Sequence, residues 1–395
     1  MKSVDFIKLP LFVVAIKGLE VKTSYNGEKA YYIVANWLLP LGLLNTMLNG
    51  YGQYAVMMEK INDGAGLSVY GRHVYPFFYI ISLVTKLFTL LYKRRQLNKL
   101  LLTLDDVMPR TGKDQKEYRL DAFYNHITTL TRTCAIIAVF AINYASFSPT
   151  VVAYYKSKTN GKDFEMQYPY ESYSIYPTQR IFFPIFFFSQ VWESAINIGA
   201  INAINFMIYG IIVLIDMHYK HLAKKIISFN SSELMVVRDD HKDYEHLIWC
   251  VTKHNQLDGF IYQLNDIFSI ASLVNLCCST SIMVLFCFMG TNVASTNDFI
   301  QYLMNAFSSI VDLWVMCWFS QKIRNSSSFI PQSGYESIWY TRSTGYQKGI
   351  VMMVRNNQRN LHLEAFKFAD LSMERFLSVI QLSYRILALL NNVEE

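Results

Sequence analysis

LSMERFLSVIQLSYRILALLNNVEE, residues 371–395, decides the fold. A membrane span takes about 20 mostly apolar residues, and 371–390 meets that. Yet the run carries Glu374, Arg375 and Arg385. A charged side chain facing lipid at mid-bilayer costs about 2.5–3.5 kcal/mol on insertion scales. These charges therefore call for water or a protein partner. Ser378, Leu382, Arg385, Leu389 and Asn392 recur at helical spacing, which puts them on one face. That face mixes small, polar and apolar groups, as a wetted wall with one narrow ring would.

Working outward, six more stretches are long and apolar enough to span: 31–54, 75–92, 133–155, 181–215, 267–290 and 299–321. The fourth exceeds one bilayer crossing and is expected to continue into water. No run alternates with period two, so strands are not expected. In 216–266, Leu222, Ile226, Leu247, Val251, Leu257 and Ile261 recur near helical spacing among Lys, His and Asp. The fourth and fifth spans are thus expected to extend below the bilayer and pack there as a stalk.

Composition agrees with a membrane protein. Only 17% of the 395 residues are charged, against about 25% in soluble domains. The distribution of the basic residues gives direction. Segments 1–30, 93–130, 216–266 and 322–370 hold 25 Lys and Arg before Lys367 is counted, whereas 55–74, 156–180, 291–298 and the residues after 390 hold 6. The N-terminus is therefore expected in the cytoplasm and, with seven spans, the C-terminus outside. This is opposite to a G-protein-coupled receptor. It also accounts for the net charge of +6 without nucleic acid. The basic, briefly apolar start MKSVDFIKLPLFVVAIKGLEV has no small-residue cleavage site, and reads as a retained amphipathic segment near the membrane surface. Two sequons, at Asn230 and Asn325, fall in segments expected to be cytoplasmic.

Enzyme chemistry finds no foothold. The chain has no HExxH, glycine-rich phosphate loop or GxSxG. Cys134, Cys250, Cys277, Cys278, Cys287 and Cys317 lie mostly in apolar stretches without CxxC spacing, so free thiols are expected and no metal or cofactor is implied. A secondary transporter would show inverted repeats and helices broken at mid-membrane, and the sequence shows neither convincingly.

Two patches carry a family resemblance. One is the Pro- and Tyr-rich YPYESYSIYP at 168–177. The other runs from SSSFIPQSGYESIWY to ERFLSVIQLSY, with Tyr335, Trp339, Tyr340, Arg355, Gln358, Phe368, Leu371, Ser372, Phe376, Ser383 and Tyr384 in order. The second resembles the C-terminal signature of insect odorant receptors, and span count, polarity and length agree with that family. The related gustatory receptors share the architecture but usually end in a different pattern. The chain lacks the long second-cytoplasmic-loop insertion of the shared co-receptor, so it resembles a ligand-tuning subunit.

The resemblance implies an all-α membrane protein with seven transmembrane helices. It implies an odorant-gated, non-selective cation channel of four subunits, with volatile odorants, co-receptor subunits and membrane lipids as partners. The expected location is the plasma membrane of olfactory neuron dendrites. The seventh span would split into a cytoplasmic anchor near 346–361 and a pore-lining helix at 371–390. That divides the chain into 1–345, with the ligand pocket, and 346–395. The gate would fall near Leu389, with Asn392 and Val393 at the outer mouth beside Glu394 and Glu395. Tyr335, Trp339 and Tyr340 are amphipathic aromatics suited to subunit contacts or the membrane boundary.

The odorant pocket would lie among aromatic-rich outer halves of spans two, three, four and six. The expected residues are Phe77, Phe78, Ile81, Tyr144, Phe147, Phe183, Phe186, Phe187, Gln190, Tyr302 and Asn305. Such a site binds by burial and dispersion, with a few polar groups for orientation. Beneath it, Lys86, Glu193 and Asp312 share one depth of roughly 17–20 Å at ~1.5 Å per residue. They are expected to form a polar cluster, with Lys86 paired to a carboxylate.

Overall fold

The computed structural model describes residues 3–7, 10, 29–64, 66–160, 169, 183–229, 240–292, 296–356, 361–366 and 369–394. The 168–177 motif apart from Pro169, most of the amphipathic N-terminal segment, Asn230, Gln358, Phe368, Glu395 and the side chains of Val393 and Glu394 lie outside the described residues. The helices, in chain order, are α1 (Lys29–Asn62), α2 (Leu67–Tyr92), α3 (Arg94–Val107), α4 (Gly112–Glu117), α5 (Leu120–Asn160), α6 (Phe183–Ser228), α7 (Asp240–Thr291), α8 (Thr296–Glu336), α9 (Thr344–Asn356) and α10 (Met373–Glu394).

The seven expected spans fall on α1, α2, α5, α6, α7, α8 and α10. Gly71–Tyr92, Leu120–Thr159, Phe183–Ser228, Asp240–Thr291 and Asp298–Glu336 are long and apolar enough to cross a membrane. Helix α10 falls short because Glu374, Arg375 and Arg385 dilute it. Prolines sit inside α1, α2, α5 and α8, which membrane helices tolerate where neighbours satisfy the freed carbonyls.

Helix α6 is the axis of the fold. It packs against α1, α2, α5, α7 and α8. From Ala203 to Tyr219 every residue is buried except half-buried Ile208. A helix apolar on all sides belongs at such a centre. The stalk positions Leu222, Ile226, Leu257 and Ile261 are buried in the same core, with Leu247 and Val251 packed on it. Helix α3 adds Leu97, Leu100, Leu101 and Leu104, one face at helical spacing. The N-terminal turn Ser3–Ile7 plugs into this base. Ile7 is fully buried against Gly210, where an added Cβ would sit 2.5 Å from Ile7 Cγ2. Ser3 N–H donates to Asp105 at 2.9 Å.

Charged groups at the base are paired. Asp216, fully buried, meets Lys220 at 3.1 Å and Lys322 at 3.4 Å, and accepts from the Ser326 hydroxyl. Asp243, also fully buried, pairs with Arg342 at 3.4 Å and accepts from Ser343 N–H at 2.9 Å, at the start of α9. Lys225 meets Glu117 at 2.9 Å, and its hydrogen bond holds that carboxyl below the ordinary glutamate value. Burial pushes the adjacent Tyr118 hydroxyl up to about 12, and its ring stacks on His221 at 3.7 Å.

The expected anchor, 346–361, falls on α9, which ends at Asn356, with 357–360 outside the described residues. It lies so close to α7 that a Cβ on Gly349 would be 2.3 Å from Leu247 Cδ2. Between α9 and α10 is a feature not expected from the sequence, a two-residue antiparallel ladder. Glu364 and Ala365 pair with Asp370 and Ala369. It is too short to show alternation. Asn265 on α7 holds it from both sides, donating to His362 O at 2.9 Å and accepting from Glu364 N–H at 3.1 Å. Ser320 on α8 accepts from Leu363 N–H at 3.1 Å. The hairpin thus sets where α10 begins, and Ser372 caps that helix by accepting from Arg375 N–H.

Candidate functional site

The expected ligand residues separate into two aromatic groups at the ends of the spans away from α9. In the first, α5 meets α6. Phe147 lies 5.2 Å from Phe187, and Phe183 lies 5.7 Å from Phe187. Phe187 and Gln190 are buried, Phe186 is half-buried, and Tyr144 on α5 is more exposed. In the second, Phe78 of α2 packs against a cluster that includes the buried Tyr302 of α8. Phe77 and Asn305 are half-buried on the same helices, while Ile81 is half exposed.

Helix α7 supplies residues the sequence reading missed. Ile282, Phe286 and Met289 form the core of the second group, with Tyr75 centred 4.6 Å from Phe286 and Tyr302 6.0 Å from it. Tyr79 joins them. The α7 sequence is apolar around its circumference here, so no face announced itself.

Lys86 and Asp312 belong to one polar network. Asn275 of α7 links them, accepting from Lys86 Nζ at 2.5 Å and donating to Asp312 Oδ2 at 2.9 Å. Asp312 also accepts from Ser279 at 3.0 Å and from Asn205 of α6 at 2.9 Å. Ser82 donates to the Asn275 oxygen at 3.2 Å. The network ties α2, α6, α7 and α8 together. In low dielectric each satisfied donor stabilises more than it would in water. The expected pairing of Lys86 with a carboxylate is therefore indirect, through an amide. Glu193 is elsewhere, beside Asn49 on the α1–α6 seam.

Helix α10 packs on α7 and α8. It turns Val379 and Ser383 inward, both buried. Ser378, Leu382, Arg385, Leu389 and Asn392 are exposed on this single chain, Leu389 at 63%. Near α9, Tyr335 and Tyr340 are exposed as well, and Trp339 is half-buried. A cavity of about 340 Å³ lies at the base, lined by Arg110, Glu117, Tyr118, His221 and Lys225 among others. From His221 to Phe187 is roughly 50 Å along α6 at ~1.5 Å per residue, so this cavity is not the aromatic site.

Comparison with known proteins agrees along the whole chain. A family model described as 7tm Odorant receptor matches residues 67–384. Odorant receptor 85c of Drosophila melanogaster is 21% identical over 390 residues, covering 98% of this chain and 99% of that one. Odorant receptor 67a of the same species is 20% identical, covering 96% and 94%. The structure of the insect olfactory receptor OR5 from Machilis hrabei in complex with eugenol superposes with a TM-score of 0.75 at 13% identity, covering 98% and 97%. A second structure of OR5 superposes with a TM-score of 0.78 at 12% identity, covering 99% and 97%. At such identities these structures speak to the fold, a seven-transmembrane all-α architecture.

Proposed function

Because the chain belongs to the seven-transmembrane odorant receptor family, a family of receptors and not enzymes, we propose that it is the ligand-tuning subunit of an odorant-gated, non-selective cation channel, assembled with the shared co-receptor. The supporting observation is α10. Its Ser378–Leu382–Arg385–Leu389–Asn392 face is turned away from its own bundle while Val379 and Ser383 hold it there. A charged membrane helix with one unpartnered-by-its-own-fold face suits the wall of a shared aqueous path. Leu389 is the ring that closes by dewetting, and no folded plug is needed. Val393 and Asn392 follow at the outer mouth.

In this reading the N-terminus is cytoplasmic and the pore helix ends outside, as the basic residues suggest. Residues 1–345 carry the odorant site and 346–395 the anchor and pore. Odorants occupy the outer aromatic groups, including Phe147, Phe183, Phe187 and Tyr302. Occupancy shifts the population toward a state with α10 helices apart. The Lys86–Asn275–Asp312 network stands where that shift passes to α7 and α8. Tyr335, Trp339 and Tyr340 serve contacts near the anchor. The receptor works in the dendritic membrane of olfactory neurons.

The test is current recording from cells expressing the chain with and without co-receptor, against a broad odorant panel, with surface labelling of the chain. Odorant-evoked cation current in the co-expressing cells is expected. Silence despite surface expression would overturn the reading.

A further inference from the structure

Helix α2 turns an apolar stripe outward at its lower end. Val84, Phe88, Leu91 and Tyr92 are exposed at helical spacing. The Phe88 and Tyr92 rings stack there at 5.8 Å. A lipid-facing stripe that ends on a tyrosine marks the membrane boundary, where that ring sits at headgroup level. Lys93, Arg94 and Arg95 follow directly, with Lys99 one turn further on.

Helical bonding runs through the junction of α2 and α3. Lys93 N–H donates to Thr89 O at 2.9 Å, and Leu97 N–H donates to Lys93 O at 3.0 Å. The outward stripe therefore continues in steps of three and four, from Phe88 through Leu91 and Tyr92 to Arg95 and Lys99. The other side of α3, Leu97, Leu100, Leu101 and Leu104, is buried in the core. Lys99 is seven residues past Tyr92, at most roughly 10 Å deeper at ~1.5 Å per residue. Its side chain leans toward the start of α3, back toward the bilayer.

The fold holds Lys93 but not its neighbours. Lys93 Nζ meets the Asp266 carboxylate at 2.9 Å and its backbone oxygen at 2.7 Å. Arg94, Arg95 and Lys99 are exposed, and their side chains meet no hydrogen-bond or ion-pair partner among the described residues. Arg95 and Lys99 stand four apart, where like charges repel. The acids further along α3 are engaged, Asp105 by Ser3 and Asp106 by Arg110.

We propose that Arg94, Arg95 and Lys99 bind the phosphate of an anionic phospholipid whose acyl chains lie along Val84, Phe88 and Leu91. Arginine takes a phosphate through two parallel N–H bonds, and an anion among the three cations relieves their repulsion. A zwitterionic headgroup brings a cation of its own and fits less well. The site goes beyond the channel reading, and lipid binding in detergent does not depend on which way round the chain sits. In the orientation read above, the leaflet is the cytoplasmic one, where anionic lipids concentrate.

The test is lipid binding to the purified full-length chain in a neutral detergent. It is read as the rise in melting temperature on adding phosphatidylserine, phosphatidylglycerol, phosphatidylcholine or inorganic phosphate. The two anionic lipids should act at far lower concentration than phosphatidylcholine, and inorganic phosphate should not replace them. The triple variant Arg94→Gln, Arg95→Gln, Lys99→Gln should raise the half-effective phosphatidylserine concentration about a hundredfold, about fivefold for each charge. Raising the salt to about 1 M should weaken binding in the wild type. A charge-matched control on exposed lysines away from the stripe, Lys113→Gln, Lys116→Gln, Lys348→Gln, should bind as wild type does. Phosphatidylcholine as effective as phosphatidylserine, a triple variant with an unchanged response, or a control that loses as much would each overturn the site. Full stabilisation by inorganic phosphate at the lipid concentrations would overturn it too, by assigning the cluster to a free anion. Should the triple variant not be recovered, Arg95→Gln and Lys99→Gln decide singly, each with an expected fivefold loss.

Discussion

Lys86 and Asp312 are joined through one amide rather than by direct contact. Asn275 accepts from the amine at 2.5 Å and donates to the carboxylate at 2.9 Å. Asp312 keeps Asn205 and Ser279 as further donors, whereas Lys86 leans on Asn275. Replacing Asn275 by Leu strands the Lys86 amine in a low-dielectric interior and takes one of three donors from Asp312, at a cost of roughly 3–5 kcal/mol, as for a broken buried pair. Lys86→Met should cost less, because Asp312 retains its three donors. Thermal unfolding of the detergent-solubilised variants, followed by size-exclusion fluorescence, checks the order. A Lys86→Met variant less stable than Asn275→Leu would contradict it.

The close approach of α9 to α7 predicts a steric effect at Gly349. A Cβ there would lie 2.3 Å from Leu247 Cδ2 and 2.8 Å from Cδ1. Gly349→Val should lose roughly 1–3 kcal/mol through overpacking. Leu247→Ala should recover part of that loss in the double variant, since it removes the colliding atoms. Additive losses in the same unfolding assay would show that the two positions do not meet.

If Leu389 forms the closing ring, Leu389→Ser should wet it and raise standing current several-fold in the absence of odorant. Arg385→Gln, one turn below, should raise conductance by removing a cation that repels permeant ions. Patch recordings from cells expressing each variant with co-receptor separate the two effects. A Leu389→Ser channel as quiet as wild type would exclude this residue as the constriction.

Acid should weaken the Glu117–Lys225 contact. The carboxyl titrates below its ordinary value of 4.5 in the folded chain because Lys225 hydrogen-bonds to it. Its contribution is therefore complete above 4.5 and is lost as pH falls through the lower folded value. The Glu117 side chain is 28% exposed, so solvent screening keeps the effect small. The melting temperatures of wild type and Glu117→Gln should differ by a constant amount above about pH 5 and converge in stronger acid. A gap that widens in acid would reverse the sign.

The spans were legible because each is a long, mostly apolar run, and the length of 181–215 showed that α6 continues past one crossing. The exposed face of α10 was legible too, since Ser378, Leu382, Arg385 and Leu389 follow one helical period. What stayed hidden depends on partners far along the chain. Asn275 is one polar residue in an apolar helix, and its meaning comes from Lys86 and Asp312 on other helices. Glu193 shares a depth with those two, but depth says nothing about azimuth, and the fold turns it toward α1. Phe286 and Met289 escaped notice because α7 has no polar side to contrast with them. The ladder at Glu364–Asp370 is held by Asn265 and Ser320, not by its own composition.

The plug formed by Ser3–Ile7 has a consequence for biogenesis. Its docking surface includes Gly210, so this turn must wait for roughly 200 further residues to be made, about 10–40 s at ordinary elongation rates. During that interval Phe6 and Ile7 have nowhere of their own to go. A turn made about 200 residues ahead of its docking surface thus settles only once α6 is in place.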